Sequence, residues 1–95
     1  MDFADRATAD LYNGVDSKSA RRLVPGALRQ KVLDKLTLLD AAVSLDQLRV
    51  PPGNRLEQLR GNRAGQHSIR INDQYRICFR WTAAGPSAVE VVDYH

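Results

Sequence analysis

The 95-residue sequence contains one cysteine and no long apolar run, and both features limit what the protein can be. The single thiol, Cys78, excludes an internal disulfide and fits a reducing cytoplasm. No stretch approaches the roughly 20 apolar residues that a membrane-spanning helix needs. The N-terminal segment MDFADRATADLY is too acidic and polar for a signal peptide. We therefore expect a cytoplasmic protein that does not associate with membranes.

The sequence also lacks the residue groups that form a metal site or a phosphate-binding loop. It has one Cys, two well-separated His and no carboxylates at the spacing of metal ligands. The glycine-containing residues 61–65 are followed by neither the lysine nor the helix of a phosphate-binding loop. We therefore expect that the protein uses no metal and no cofactor.

Lysine is absent from the last 45 residues, which contain six arginines and four acidic residues. Residues 1–50 are nearly balanced, with eight basic and seven acidic side chains, and the whole chain has a net charge of +3. Arginine without lysine favours bidentate, oriented recognition of phosphate over diffuse attraction. A solvated sheet face explains scattered arginines equally well, so composition alone leaves both interpretations open.

Residues 66–81 predict a β-hairpin, because apolar and polar side chains alternate in two runs separated by an Asn-Asp-Gln loop. Matching the apolar faces sets a register in which Ile69 lies opposite Ile77 and Arg70 opposite Arg76. Asn and Asp tolerate the left-handed conformation that such a loop can require. Because like charges directly opposed are destabilising, we expect an anion beside the two arginines.

Helices are expected before the sheet. Residues 5–12 predict a short helix, residues 17–23 a basic connector, and an apolar stripe at helical spacing predicts a long helix. The stripe consists of Leu28, Val32, Leu36, Leu39 and Val43. Ser44 and Gln47 have the spacing of a capping box, which indicates one more helical turn.

Helices followed by an antiparallel sheet indicate an α+β fold. Residues 56–60 are expected to form the first central strand, and the last strand is expected from Ala88 to the chain end. Residues 1–4 predict a short edge strand. In this arrangement the helices cover the apolar face of the sheet and leave its arginine face open.

Candidate proton-transfer groups are found at the chain end, which reads Asp93-Tyr94-His95. A histidine can pass a proton near neutral pH, and a tyrosine can donate one or bind phosphate. Glu57 and Arg60 lie on opposite sides of an ideal strand, so a bend would be needed to bring both to one site. By composition, such an ending is a structural tail as often as it is a site.

Taken together, four short motifs resemble the HigB toxins of bacterial toxin–antitoxin modules, a branch of the RelE/ParE superfamily. They are residues 56–62 (LEQLRGN), 68–72 (SIRIN), 75–79 (YRICF) and 93–95 (DYH). The resemblance covers roughly residues 26–95, and the first 25 residues match poorly.

The resemblance implies a small ribosome-dependent endoribonuclease that cuts mRNA and is neutralised by a HigA-type helix-turn-helix antitoxin. It implies one RelE-like domain over residues 1–95, with N-terminal helices packed on one face of an antiparallel β-sheet. The implied reaction is metal-independent: a ribose 2′-hydroxyl attacks the adjacent phosphate. The expected partners are therefore the antitoxin, the ribosome and mRNA.

The resemblance also implies a set of site residues. The family motif Leu-His-Pro-Leu-Lys-Gly falls on residues 56–61, so Glu57 replaces the catalytic His and Arg60 replaces the Lys. The complete catalytic set is Glu57, Arg60, Arg76, Asp93, Tyr94 and His95. The expected RNA-binding arginines are Arg55, Arg63, Arg70 and Arg80.

Each catalytic residue has an expected role. Glu57 or His95 would take the 2′-hydroxyl proton, while Arg60 and Arg76 stabilise the charge on the phosphoryl oxygens. Tyr94 or His95 would protonate the leaving oxygen, and Asp93 would orient its neighbours.

Two other functions remain open. A ParE-like toxin would poison gyrase without nuclease chemistry, although the Asp-Tyr-His ending argues against it. A non-catalytic RNA- or protein-binding module would use the arginines only to hold a partner.

Overall fold

The computed structural model describes residues 1–94, which form three α-helices followed by a four-stranded antiparallel sheet. The helices are α1 (Arg6–Asn13), α2 (Lys18–Leu23) and α3 (Arg29–Ala41). The strands are β1 (Glu57–Gln58), β2 (His67–Arg70), β3 (Tyr75–Thr82) and β4 (Gly85–Asp93), and they lie side by side in that order. Short 3₁₀ segments at Gly26–Leu28, Leu45–Arg49, Pro52–Asn54 and Gly61–Arg63 connect these elements. The arrangement confirms the expected α+β fold.

The hairpin has the register that the alternating pattern predicts. Ile69 pairs with Ile77, and Arg70 pairs with Arg76. The Asn72 side-chain oxygen shapes the loop, because it accepts hydrogen bonds from the backbone N–H of Gln74 at 2.9 Å and of Tyr75 at 2.8 Å. Asn72 therefore acts as a hydrogen-bond acceptor, and the loop does not use the left-handed conformation expected from its composition.

The core lies between the helices and the apolar face of the sheet. Its fully buried side chains include Val32, Leu36 and Leu39 of α3 and Ile69, Ile77 and Phe79 of the hairpin. These α3 residues confirm the centre of the predicted stripe. The stripe does not extend to Val43, which is 82% exposed because α3 ends at Ala41.

Residues 18–23 form helix α2, so the expectation of a connector was wrong. The Ser17 hydroxyl caps the helix by accepting a hydrogen bond from the Ala20 backbone N–H at 3.1 Å. Ala20 is buried, whereas Lys18 and Arg22 are exposed. A six-residue helix with one buried position has too little apolar periodicity to be recognised in the sequence. Among residues 1–94, no helix is long and apolar enough to cross a membrane.

The first strand is much shorter than residues 56–60. Only Glu57 and Gln58 pair with β2. Arg55 has a left-handed backbone with φ of 44° on one side of the pair, and Gly61 has φ of 63° on the other. These two bends limit the length of β1, because residues with a left-handed backbone conformation cannot continue a strand.

Three smaller expectations were met in part. Residues 1–4 contribute one parallel bridge, from Phe3 to Val89, rather than a strand.

In the expected capping box, the Gln47 side chain accepts a hydrogen bond from the Val43 backbone N–H at 2.8 Å, but the Ser44 side chain makes no capping hydrogen bond. Strand β4 begins at Gly85, three residues before Ala88.

Candidate active site

The polar side of the sheet contains a groove of about 360 Å³ beside the hairpin loop. Its lining residues are Arg55, Glu57, Arg70, Asn72, Asp73, Arg76 and Tyr94. Strand alternation accounts for the two hairpin arginines, because Arg70 and Arg76 project away from the buried Ile69 and Ile77. Five of the ten residues expected in the site thus line one groove.

Arg76 is the best-anchored residue of the groove. Its Nε donates a hydrogen bond to the Ser68 hydroxyl at 2.7 Å. Its Nη2 donates to the backbone carbonyls of Arg55 at 2.6 Å and Ser68 at 3.3 Å. The remaining nitrogen, Nη1, lies 4.0 Å from the Glu57 carboxylate. The protein therefore holds Arg76 through two nitrogens and directs the third toward Glu57.

Arg70 also faces a carboxylate, because it forms an ion pair with Asp73 in the hairpin loop. The opposed pair of Arg70 and Arg76 therefore has compensating negative charge within the chain, from Asp73 and Glu57. The structure thus places a carboxylate beside each arginine, and the expected anion stays a prediction. The loop and β1 supply the carboxylates, and strand alternation alone could not have indicated this.

Tyr94 closes the groove at the end of β4. Its backbone N–H donates to the Gln74 carbonyl at 2.8 Å, and its hydroxyl lies 3.6 Å from the Cys78 sulfur. Burial, followed by the hydrogen bond with Cys78, raises the pKa of Tyr94 above its ordinary value of 10.0. The phenol therefore remains protonated at neutral pH and can donate a proton.

Three expected catalytic residues lie elsewhere or outside the described part of the chain. Arg60 is exposed beyond β1 and is not among the residues lining the groove. Asp93 lies on the other side of β4, where it lines a cleft with Lys18 and Arg22 of α2. It accepts a hydrogen bond from the Gln74 side chain at 3.1 Å. His95 lies outside the described residues.

Arg63 and Arg80 belong to a neighbouring region of the polar face. Arg63 donates hydrogen bonds to Gln66 at 3.0 Å and to Glu90 at 2.8 Å. The bond to Glu90 raises the pKa of Arg63, so its positive charge is paired within the protein. The Arg80 guanidinium lies so close to Gly65 that a Cβ there would come within 2.7 Å of Nη1.

The polar face is consequently less open than expected. Ser68, Arg76 and Cys78 are buried, because Arg55 and the segment at residues 61–66 fold back over the strands. Burial raises the pKa of the Cys78 thiol above its ordinary value of 9.0, which disfavours the reactive thiolate. Cys78 therefore fills space beneath Tyr94 and does not present a nucleophile.

Sequence reasoning did not identify Asn72, Asp73 or Ser68. Asn72 and Asp73 line the groove from the hairpin loop, and Ser68 lies beneath Arg76. The alternation of β2 contained the signal for Ser68, since it places this hydroxyl on the same face as Arg70 and Arg76. The loop residues had no comparable signal, because an irregular loop has no fixed side-chain direction.

The chain is similar to one protein family and to two individual proteins. The family model described as "RelE-like toxin of type II toxin-antitoxin system HigB" matches residues 1–95. Toxin HigB-1 of Vibrio cholerae serotype O1 is 41% identical over 81 residues, covering 85% of this chain and 82% of that protein. An uncharacterized protein of Haemophilus influenzae is 34% identical over 71 residues, covering 75% of this chain and 70% of that protein. The family match includes the first 25 residues, which the motif resemblance left out.

Proposed function

The chain belongs to the RelE-like HigB toxins of type II toxin–antitoxin systems, and we propose that it is a ribosome-dependent endoribonuclease that cleaves mRNA. The observation that carries the proposal is the groove, where an anchored arginine, a carboxylate and a protonated phenol meet. A type II toxin has an antitoxin partner. We take this antitoxin to be a HigA-type helix-turn-helix protein, and the whole chain to act as one cytoplasmic domain.

In the proposed reaction, Glu57 takes the proton from a ribose 2′-hydroxyl. The 2′-oxygen attacks the adjacent phosphorus, and the bond from phosphorus to the 5′-oxygen breaks, which leaves a 2′,3′-cyclic phosphate. Arg76 stabilises the charge that develops on the phosphoryl oxygens, and its Nη1 is the nitrogen nearest to Glu57. A positioned acid or base contributes about 10²–10⁴-fold to such a reaction.

Tyr94 protonates the leaving 5′-oxygen in this proposal, because its phenol lines the groove and its pKa, which is above 10.0, leaves it protonated at neutral pH. His95 is the alternative base or acid. Asp93 acts indirectly through Gln74, whose side chain donates to Asp93 and whose carbonyl accepts the Tyr94 N–H. This connection supports the orienting role expected for Asp93.

The remaining arginines bind RNA in two groups. Arg55 and Arg70 line the groove and contact the phosphates next to the cleaved bond. Arg60, Arg63 and Arg80 lie outside the groove and contact the RNA farther along its backbone. The ribosome holds the mRNA in place, which removes much of the entropy cost of aligning the reacting groups.

The decisive experiment is a single-turnover cleavage assay on ribosome-bound mRNA with mapping of the 5′ ends. We expect wild-type protein to cleave ribosome-bound mRNA and to leave free mRNA intact. Glu57→Gln removes the proposed base and should lower the rate by about 10²–10⁴-fold. The matched control is Asp34→Asn, because Asp34 is an exposed α3 carboxylate that is paired with Gln30.

Other outcomes separate the competing functions. If Glu57→Gln keeps the wild-type rate while wild type is active, His95 is the base. Ribosome binding without cleavage by wild type would support the non-catalytic module. An early block of DNA synthesis with intact mRNA would support a gyrase poison. Either of these last two results overturns the nuclease proposal.

A further inference from the structure

We propose that Ser68 is a positioning residue that holds Arg76 in the orientation needed to contact the scissile phosphate. This inference rests on the proposed function. Ser68 is fully buried and does not line the groove, so it acts on the substrate only through Arg76. The alternation of β2 and β3 brings the two side chains together, because the Ser68–Cys78 pair lies two residue pairs from the Arg70–Arg76 pair and therefore on the same face of the sheet.

Ser68 contacts Arg76 twice. Its hydroxyl accepts a hydrogen bond from Nε at 2.7 Å, and its carbonyl accepts one from Nη2 at 3.3 Å. Hydrogen bonds from an ionised group are stronger than neutral ones, and the low local dielectric strengthens them further. The guanidinium group is planar and rigid. Because hydrogen bonds hold its Nε and Nη2 in place, they also fix the direction in which Nη1 points.

The Arg55 carbonyl provides a further support, because it accepts a hydrogen bond from Nη2 at 2.6 Å. The left-handed backbone of Arg55 follows Asn54, which is fully buried. The Asn54 side chain donates to the carbonyls of Leu48 at 3.2 Å and Val50 at 3.3 Å, and it accepts a hydrogen bond from Lys35. Arg76 is thus held between the sheet and a loop that is connected to α3.

Loss of the Ser68 hydroxyl should therefore affect catalysis more than binding. Without it, the Nε–H of a buried cation has no acceptor, and the arginine gains rotameric freedom. The charge remains, so attraction of the RNA backbone is largely retained. The direction of Nη1 is not retained, and misplacement of a catalytic group by about 1 Å can cost about 100-fold in rate.

The test compares Ser68→Ala, Ser68→Thr and Ser87→Ala in the single-turnover assay with ribosome-bound mRNA. Ser87 is the matched control, since its hydroxyl donates hydrogen bonds to the Asp2 carboxylate and the residue does not line the groove. We expect Ser68→Ala to lower the saturating rate by about 10- to 100-fold, with the half-saturating ribosome concentration changed less than about threefold. Ser68→Thr keeps the hydroxyl and should recover most of the rate, while Ser87→Ala should resemble wild type.

A second measurement follows the Arg76 Nε–H signal by NMR. In wild type, the hydrogen bond to Ser68 should slow exchange of this proton with solvent, and Ser68→Ala should exchange markedly faster. Equal exchange in both proteins, or an unchanged cleavage rate in Ser68→Ala, overturns the inference. A rate loss that is explained entirely by unfolding, with no change in the Nε–H signal of the folded fraction, overturns it as well.

The two measurements also separate this inference from the proposed function. If wild-type protein leaves ribosome-bound mRNA intact, the nuclease proposal fails, and the Nε–H exchange alone decides whether Ser68 holds Arg76. If wild type and Ser87→Ala cleave but Ser68→Ala cleaves equally well, the nuclease proposal stands and the positioning role is rejected.

Discussion

At the scale of residues, the groove combines one buried cation with two more accessible groups. The side chain of Arg76 is 10% exposed, whereas that of Glu57 is 57% exposed and Tyr94 as a residue is 47% exposed. A buried, anchored guanidinium has a fixed position and acts in a lower dielectric than water, which strengthens its effect on a nearby charge. The accessible carboxylate and phenol can still reach a substrate, so each group has the environment that its proposed role requires.

The pH dependence of cleavage should identify the proton donor. A general acid works only while protonated, and the raised pKa of Tyr94 keeps it protonated throughout neutral and mildly alkaline pH. If Tyr94 is the acid and Glu57 the base, we expect the single-turnover rate to be level from about pH 6 to 8.5. Tyr94→Phe should lower that rate by about 10²–10⁴-fold without changing the fold.

Other shapes of this profile would indicate His95. A rate that falls as pH rises through about 6.5 would show an imidazolium acid and contradict the assignment of Tyr94. A rate that rises through the same range would identify His95 as the base. Tyr12→Phe is a suitable control, because the Tyr12 hydroxyl donates to Asp40 and lies outside the groove.

At the scale of elements, two backbone bends complete a groove whose arginines, Arg70 and Arg76, come from the strands. Arg55 and Gly61 have left-handed backbones on either side of β1, which shortens this strand to a two-residue pairing. The first bend directs the Arg55 carbonyl toward Arg76. The segment beyond the second bend crosses the polar face and pairs Arg63 with Glu90. The groove is therefore bordered by irregular segments on a regular sheet.

Gly14 tests the importance of one such bend on the helical side. It ends α1 with φ of 74°, and its N–H donates to the carbonyls of Asp10 and Leu11. A Cβ at Gly14 would meet no atom within 4 Å, so Gly14→Ala introduces backbone strain without a steric clash. We expect a loss of about 1 kcal/mol in the free energy of unfolding, measured by urea titration.

The matched control is Gly26→Ala. Gly26 also has open space around its Cβ position, but its φ lies outside the left-handed region. This substitution should be neutral or stabilise the protein by less than about 1 kcal/mol, because alanine restricts the unfolded chain. Equal effects of the two substitutions would show that the left-handed conformation of Gly14 does not matter for stability.

At the scale of the whole molecule, the core and the groove lie on opposite faces of the sheet. The helices pack on the apolar face, where α3 buries Val32, Leu36 and Leu39. The groove is on the other face, so conservative changes to its exposed residues leave the core intact. Cys78 lies between these regions, since it is fully buried on the polar side of β3.

The rate at which the Cys78 thiol is labelled should therefore measure unfolding of the sheet. Cys78 has a buried sulfur and a raised pKa, and both slow its reaction with iodoacetamide in the folded protein. We expect labelling to accelerate in urea in parallel with the loss of secondary structure measured by circular dichroism. Fast labelling of the native protein, without loss of structure, would contradict this expectation.

An exposed cysteine provides the internal reference for that experiment. Val43→Cys places a second thiol at a position that is 82% exposed in the native chain. Mass spectrometry should show one label added rapidly and the second added only as the protein unfolds. Two rapid labels would mean that Cys78 is accessible without unfolding.

The features that depend on local periodicity could be predicted from the amino-acid sequence. The alternation in residues 66–81 predicted the hairpin and its register, including the pairing of Arg70 with Arg76. The apolar stripe predicted the centre of α3, and the order of elements predicted the α+β fold. These predictions succeeded because side-chain direction repeats every two residues in a strand and every 3.6 residues in a helix. The spacing of apolar residues in the sequence therefore shows which side chains are buried. Short motifs in order were likewise enough to indicate the family.

The tertiary structure alone decided which candidate residues share the groove. It brought Arg55, Glu57 and Tyr94 to Arg76, but left Arg60 outside and Asp93 on the opposite side of β4. It also buried Arg76 against Ser68. These outcomes depend on the path of Arg55 and residues 61–66 across the sheet and on contacts between residues far apart in sequence. Periodicity specifies the face of an element, but the route of an irregular segment is set by the whole fold.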